Sequence, residues 1–331
     1  MKPLVDLRNI NMNFNMGNDK ILRASVNVNL AINKKEIITV VGESGCGKST
    51  IGRICLGVQK PSSGEVYYGD RNIWDRSFKW NKEYRLMVQV VHQDSYASLN
   101  PVKTVYQILS DPMLFHGMAK NQKESEAKVL SLLTSVGLTP PDYFASKYPF
   151  QLSGGQRQRV SIARATIVGP ELIITDEPVS GVDASMRIAI LDLMRELNEK
   201  NNIAFLYITH DLATARYFGK GGKIIVMYLG NIVEEGDVSH VIDNPSHPYL
   251  QALLSALPPP DPKKARIKKE LPLKSLDMPD PTEAPKGCPF NPRCPYSEDI
   301  CMEKKPELIK LENSPCHSVA CHFTTKRRLP L

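Results

Sequence analysis

One short segment combines glycines, a lysine and hydroxyl side chains in a pattern suited to binding phosphate. Residues 42–50 read GESGCGKST, fit G-x-x-x-x-G-K-[ST] and follow the apolar run 37–41. Glycines let the backbone curl so that successive N–H groups face one anion, and the following helix adds its positive end. Lys48 is expected to reach the β- and γ-phosphates of a nucleotide and Ser49 to ligate Mg²⁺, the alternative being an ordinary glycine turn. The predicted phosphate-binding residues are Gly42, Ser44, Gly45, Cys46, Gly47, Lys48, Ser49 and Thr50.

Two acidic residues end a second apolar run. Residues 172–175 read LIIT, and Asp176 and Glu177 follow directly. The chain turns at the end of a strand, so both carboxylates can approach the nucleotide although adjacent strand residues point to opposite faces. Asp176 would hold Mg²⁺, directly or through water, and Glu177 suits a general base or a group that orients the attacking water. Taken alone, such a pair most often only terminates a strand.

A third motif places free backbone N–H groups at the start of a helix. Residues 152–156 read LSGGQ and continue into the helical pattern 157–165. Ser153, Gly154, Gly155 and Gln156 can form a second anion site there. Read alone, Ser153 is equally well explained as a helix N-cap.

The elements that must position these motifs form a mixed α/β pattern. Short runs rich in β-branched residues predict buried strands at 37–41, 172–175, 203–208 and 224–227. Segments of helical character separate them, as in a sheet covered by helices. The stretch from about 95 to 165 has helical periodicity and no strong strand, which predicts a helical insertion.

The phosphate loop, the LSGGQ segment and the Asp-Glu pair, in this order, resemble the ATPases of ABC transporters. The resemblance covers about residues 4–257 and implies an α/β P-loop NTPase core with a mixed sheet and a helical subdomain. We therefore expect an ABC ATPase domain at 1–257 that includes the helical subdomain at about 95–165.

The resemblance extends to further residues. Gln93 corresponds to the glutamine that senses Mg²⁺ and the attacking water, and His210 to the histidine that contacts the γ-phosphate. Asp183 lies in a segment SGVD, with Gly-Val where the family usually has Ala-Leu. Phe14 is the candidate for the aromatic ring that stacks on adenine, where tyrosine is more common. Read singly, His210 would be a strand-end histidine and Gln93 a solvated amide.

The family also implies a mechanism and partners. The signature residues 153–156 of one subunit cap the ATP in the phosphate loop of another, so ATP closes a dimer and hydrolysis reopens it. The expected catalytic residues are Lys48, Gln93, Glu177 and His210.

Two segments narrow the subfamily. Residues 93–101 and the NPSHPY segment at 244–249 are similar to those of oligopeptide and dipeptide importers, especially the second of their two ATPases. The implied partners are a paralogous ATPase in a heterodimer, two transmembrane permeases and an extracytoplasmic solute-binding protein. The implied location is the cytoplasmic face of the membrane. Relatives with this tail also serve nickel or oligosaccharides, so the solute stays open.

The carboxyl end differs chemically from the rest. Five of the seven cysteines lie in the last 44 residues, and 14 of 25 prolines lie between 258 and 330. We expect a proline-rich linker at 258–286 and a small cysteine-rich domain at 287–331. The tail resembles the iron–sulfur domain of peptide-importer ATPases, which implies a 4Fe-4S cluster; zinc or unligated thiols are the alternatives. The implied ligands are Cys288, Cys294, Cys301 and Cys321, with Cys316 a free thiol and Cys46 and Cys55 ordinary small residues.

Composition excludes several classes. The 331 residues are 42% hydrophobic, and no run approaches the about 18 apolar residues of a bilayer helix. The net charge of +7 is spread among 42 basic and 35 acidic residues, which predicts no nucleic-acid partner. The amino terminus lacks an apolar signal core, so we expect a cytosolic protein. A soluble ABC ATPase acting on nucleic acid and a redox-sensing ATPase remain the alternative functions.

Overall fold

The computed structural model describes residues 2–17, 20–75, 82–257 and 273–323. The strands in these ranges are β1 (Val5–Asn15), β2 (Ile21–Ile32), β3 (Ile37–Val41), β4 (Ser63–Tyr68), β5 (Arg71–Asn72), β6 (Val88–Val91), β7 (Leu172–Asp176), β8 (Ala204–Thr209), β9 (Lys223–Tyr228), β10 (Asn231–Asp237), β11 (Ile309–Leu311) and β12 (Ser314–Val319). The helices are α1 (Lys48–Cys55), α2 (Lys82–Met87), α3 (Ser95–Ser98), α4 (Val105–Phe115), α5 (Gln122–Ser135), α6 (Pro141–Ala145), α7 (Gly154–Thr166), α8 (Ala184–Asn201), α9 (Leu212–Phe218), α10 (Val238–Asp243), α11 (Pro248–Ser255) and α12 (Asp299–Glu303).

The apolar runs of the sequence form the centre of an eight-stranded sheet. Its strand order is β11-β12-β10-β9-β3-β8-β7-β6, and β9, β3, β8, β7 and β6 are parallel neighbours. All residues of β3 and β8 are buried, as expected for strands covered on both faces. The four runs predicted as strands are confirmed, with bounds that differ by at most one residue.

The carboxyl ends of parallel strands meet at one edge of a sheet, and the phosphate loop, Gln93, the Asp-Glu pair and His210 lie at such ends, whereas the LSGGQ segment does not. The phosphate loop follows β3, Gln93 lies two residues after β6, Asp176 ends β7, and His210 follows β8. The topology therefore brings together residues that lie far apart in the chain.

A second sheet was not predicted from the sequence. It has the order β2-β1-β4-β5 and is antiparallel. Its long strands alternate buried apolar residues with exposed polar ones, many of them asparagines, so they lack the continuous apolar runs on which the strand predictions rested. Residues 95–165, all of them described, contain helices α3–α6 and all but the last residue of α7 and no strand, as the periodicity predicted.

The cysteine-rich segment joins the main sheet. Strand β12 pairs with β10 through Glu234–Val319 and Glu235–Ser318, and β11 forms the edge beside β12. The predicted boundaries at 257, 286 and 287 stay predictions. Residues 258–272 of the predicted linker lie outside the described ranges, and residues 273–286 form neither helix nor strand. No helix within the described ranges is long and apolar enough to cross a membrane.

Candidate nucleotide site

A cavity of about 700 Å³ lies at the carboxyl edge of the parallel strands. It brings together most of the residues that the sequence singled out. The predicted residues that line it are Phe14, Gly42, Ser44, Gly45, Gly47, Lys48, Ser49, Thr50, Gln93, Asp176, Glu177 and His210. Cys46 does not line the cavity because it is fully buried beneath the loop.

The phosphate loop has the backbone conformation that its glycines permit. Gly47 has φ of +104°, and a Cβ atom there would lie 2.0 Å from the carbonyl oxygen of Ala24. Only glycine fits this position. Lys48 begins α1, and its Nζ donates hydrogen bonds of 2.8 Å to the carbonyl oxygens of Gly42 and Glu43. The ammonium group is thus held over the loop, where phosphate oxygens could replace the carbonyls.

Three predicted catalytic residues form one hydrogen-bonded group. Glu177 Oε1 lies 2.7 Å from His210 Nδ1, and Gln93 Nε2 donates to Glu177 Oε2 over 3.1 Å. The carboxylate is 18% exposed, whereas the imidazole is 57% exposed. A carboxylate held by two neighbours at the cavity wall is suited to orient a water molecule toward a γ-phosphate.

The structure does not bring the signature residues to this cavity. Ser153 caps α7 in a capping box, in which its Oγ accepts a bond from Gln156 N and Gln156 Oε1 accepts one from Ser153 N. Gly154 approaches the loop that precedes α8, where Asp183 is the exposed N-cap residue. The N-cap interpretation of Ser153 is therefore correct as a description of the local structure. Contact of these residues with a second subunit's nucleotide stays a prediction.

Sequence reasoning missed the residues that support the loop. The hydroxyl oxygen of Tyr249 accepts a 2.8 Å bond from Glu43 N, and the Arg293 guanidinium pairs with the Glu43 carboxylate. Glu43 occupies a position that the motif leaves free, and its partners are more than 200 residues away. No local pattern could have found these contacts.

The four cysteines proposed as cluster ligands line a second, smaller cavity. Cys288, Cys294 and Cys301 are buried and belong to the apolar cluster that also contains Tyr228 and Tyr249. Burial raises the pKa of the Cys288 thiol to about 12 and that of Cys294 to about 11, although backbone N–H groups facing each sulfur oppose the shift. Cys321 accepts a 3.4 Å bond from Phe323 N.

Other observations do not support a metal at these cysteines. Across the ranges that the structure describes, no group of three or more His, Cys, Asp or Glu side chains is arranged to hold a metal ion. None of the seven cysteines, all of which lie in the described ranges, forms a disulfide bond, and Cys316 is exposed. Cys55 is fully buried, and burial raises its pKa to about 12.

Comparison with known proteins identifies the family. The model of the ABC transporter family matches residues 26–180, and the model of the oligopeptide/dipeptide transporter C-terminal region matches residues 233–301. The oligopeptide transport ATP-binding protein AppF of Bacillus subtilis is 43% identical over 303 residues, which cover 91% of this chain and 90% of that protein. The chain belongs to the ATP-binding subunits of oligopeptide and dipeptide ABC transporters.

Other members of this family and a solved structure agree. The dipeptide transport ATP-binding protein DppF of Haemophilus influenzae is 38% identical over 287 residues. The aligned segment covers 87% of this chain and 85% of DppF. A dimeric ATP-binding cassette bound to ADP and phosphate after hydrolysis superposes with a TM-score of 0.61 at 31% identity, covering 71% of this chain and 98% of that one. The matched C-terminal region contains Cys288, Cys294 and Cys301, but no comparison supports an iron–sulfur cluster.

Proposed function

We propose that this chain is the ATP-hydrolysing subunit that powers an importer of di- or oligopeptides. The oligopeptide and dipeptide transport proteins that the chain resembles support the peptide solute. One observation carries the hydrolytic function: the Glu177 carboxylate, bonded to Gln93 and His210, lies in the wall of the cavity that the phosphate loop forms. The arrangement places a carboxylate that can orient water next to the loop that can bind the phosphates, and ATP hydrolysis requires both.

The residues of the cavity that the sequence singled out then have these roles. Lys48 and the loop amides bind the β- and γ-phosphates, and Ser49 and Asp176 hold Mg²⁺, with Gln93 reaching the same ion. Mg²⁺ supplies charge neutralisation of the transferred phosphoryl group. Glu177 orients the attacking water, and His210 contacts the γ-phosphate. Phe14, which also lines the cavity, stacks on the adenine ring.

The signature residues act on a second subunit. Ser153, Gly154, Gly155 and Gln156, with Asp183 beside them, cap the ATP bound by a paralogous ATPase, so that ATP closes the heterodimer. The dimeric cassette of similar fold supports dimerisation as such. The closed and open forms drive two permeases, which receive the solute from an extracytoplasmic binding protein. The chain accordingly works as a peripheral protein at the cytoplasmic face of the membrane.

Uptake by the reconstituted complex tests this function. The experiment uses proteoliposomes that contain this chain, its paralogue and the two permeases, supplied with the binding protein. We expect labelled peptide to enter only when MgATP is present at the face that carries the ATPases. Uptake of nickel ions or oligosaccharides in place of peptide would contradict the proposed solute.

We further propose that the cysteine-rich segment at 287–331 is a small domain that holds a 4Fe-4S cluster through Cys288, Cys294, Cys301 and Cys321. The shared cavity and the N–H donors at three of the sulfurs fit thiolate ligands. When bound, the cluster would supply a covalent cross-link between the loops that carry the four cysteines.

Iron and acid-labile sulfide analysis of anaerobically purified protein tests the cluster. We expect about four irons and four sulfides per chain, lost in Cys294→Ser and retained in Cys316→Ser. The second variant is a matched control because Cys316 is exposed and does not line the small cavity. Zinc at these sites, or no metal at all, would contradict the proposal.

A further inference from the structure

A bidentate ion pair joins the cysteine-rich segment to the phosphate loop. Arg293 Nη1 lies 2.7 Å from Glu43 Oε2, and Arg293 Nη2 lies 3.0 Å from Glu43 Oε1, across 250 positions of sequence. The side chain of Arg293 is 5% exposed and that of Glu43 is 28% exposed. A planar guanidinium bonds both carboxylate oxygens at once, so the pair fixes orientation as well as distance.

Arg293 is itself held in place by the turn that carries the cysteines. It directly precedes Cys294, and its backbone N–H donates a 3.0 Å bond to the carbonyl oxygen of Phe290. The guanidinium carbon lies 5.8 Å from the ring centroids of Tyr228 and Phe290. The Phe290 ring packs on those of Tyr228 and Tyr249, at 5.2 and 5.4 Å. The position of the guanidinium therefore follows from the conformation of this turn.

Three groups of Glu43 form hydrogen bonds: its carboxylate, its backbone N–H and its backbone carbonyl oxygen. Its carboxylate pairs with Arg293, its N–H donates to the Tyr249 hydroxyl over 2.8 Å, and its carbonyl oxygen accepts a 2.8 Å bond from Lys48 Nζ. The same carbonyl also accepts a 3.4 Å bond from Cys46 N. Lys48 and Cys46 belong to the phosphate loop itself, whereas Arg293 and Tyr249 hold Glu43 from outside the loop.

We propose that Arg293 is a positioning residue that keeps the phosphate loop in its ATP-binding conformation, and thereby links nucleotide affinity to the cysteine-rich segment. The inference rests on the proposed ATPase function of the loop. Arg293 touches neither the cavity nor the expected position of the reacting atoms. Its loss should therefore raise the KM for ATP while leaving kcat nearly unchanged.

The pair also neutralises a charge beside the phosphates. Without Arg293, the Glu43 carboxylate would stand unpaired in the wall of a cavity that must accept a triphosphate. The two effects act through the same pair of side chains. Replacing Glu43 as well removes the unpaired charge but does not restore the positioning, so the double variant should lose no more affinity than Arg293→Gln alone.

A double-mutant cycle on the full-length purified chain tests the proposal, with the affinity for MgATP as the readout. We expect Arg293→Gln to weaken binding about fivefold or more, within the usual range of coupling between sites. Arg293→Gln/Glu43→Gln should bind no more weakly than Arg293→Gln alone. Wild-type affinity in Arg293→Gln, or losses that multiply in the double variant, would overturn the proposal.

Two further variants test whether the loss of affinity comes from removing any surface arginine or from misfolding of the protein. Arg216→Gln breaks an exposed pair with Asp243, 2.8 Å apart, and should bind MgATP as the wild type does; an equal loss there would overturn the proposal. If Arg293→Gln has no cooperative unfolding transition, Arg293→Lys serves instead. Lysine keeps the positive charge but cannot form the two parallel hydrogen bonds of the guanidinium group. Wild-type affinity in a folded Arg293→Lys variant would likewise overturn the proposal.

The readout separates this inference from the function on which it rests. It needs neither permeases nor peptide, so a chain that binds MgATP but drives no uptake contradicts the transport function alone. Unchanged affinity in the Arg293 variants contradicts the positioning role alone. A wild-type chain that binds no MgATP contradicts both.

Discussion

Glu177 has a backbone conformation that few non-glycine residues adopt. Its φ is +47°, and its N–H donates to the carbonyl oxygen of Ile208 over 2.9 Å. Such conformations cost about 1–3 kcal/mol and persist where the surroundings impose them. Here the turn directs the carboxylate between Gln93 and His210, so the local cost is linked to the geometry that hydrolysis requires.

Gly47 and Gly45 offer a matched pair of substitutions in the phosphate loop. Both have positive φ, but only at Gly47 would a Cβ atom meet a backbone oxygen, that of Ala24, at 2.0 Å. We expect Gly45→Ala to lower the free energy of unfolding by about 1–2 kcal/mol, the cost of a left-handed conformation. Gly47→Ala should cost more and also abolish MgATP binding.

Chemical denaturation and nucleotide titration of the two variants check this prediction. Equal destabilisation by both substitutions would mean that the loop can move away from Ala24. In that case the close approach would not explain why glycine is needed there.

At the scale of elements, the sequence predicted the strands and helices whose pattern of apolar residues can be recognised within a short segment. The four strand predictions are confirmed because buried parallel strands are continuously apolar, and the helical stretch is confirmed because its periodicity is local. The structure also brings Gln93, Glu177 and His210 together where the resemblance led us to expect a site. The β1–β2 hairpin was missed because its strands alternate apolar with polar residues such as Asn11 and Asn13.

Contacts between distant elements could not be predicted. Strand β12 lies beside β10, and Arg293 reaches the phosphate loop, through pairings separated by more than 80 and by 250 residues. Such pairings depend on how the whole chain packs, and a single sequence carries no periodicity that reports them.

A buried hydrogen-bonded pair, Glu234 and His317, fastens β12 to β10. Glu234 is fully buried and accepts bonds from His317 Nε2 at 2.7 Å, Ser246 N at 2.7 Å and His247 N at 2.9 Å. Burial raises the pKa of Glu234, although these hydrogen bonds oppose the shift. Glu234→Gln turns an N–H group toward at least one of these donors and should lower the free energy of unfolding by about 1–3 kcal/mol, the cost of a buried polar group left without a partner.

Chemical denaturation at neutral pH measures this effect, with Glu312→Gln, an exposed residue of the same segment, as the control. The control should lie within about 0.5 kcal/mol of the wild type. A Glu234→Gln variant as stable as the control would show that the tail is held to the sheet by other contacts.

At the scale of the whole molecule, a set of side-chain contacts connects two cavities. Glu43 lines the nucleotide cavity and its N–H donates to the Tyr249 hydroxyl, whereas Phe290 lines the cysteine cavity. The rings of Tyr228, Tyr249 and Phe290 pack together, with centroids 4.7 to 5.4 Å apart. A change in the cysteine-rich segment can therefore reach the phosphate loop through a contiguous set of contacts.

Peptide uptake by the reconstituted complex with Glu177→Gln in this chain is the most direct test of the central claim. Glu196→Gln is the matched control, since Glu196 is exposed and pairs with Lys200 on the surface of α8. We predict that the Glu177 variant binds MgATP but hydrolyses it and imports peptide at least about 10²-fold more slowly, while the control matches the wild type. Uptake at the wild-type rate with Glu177→Gln would contradict the account.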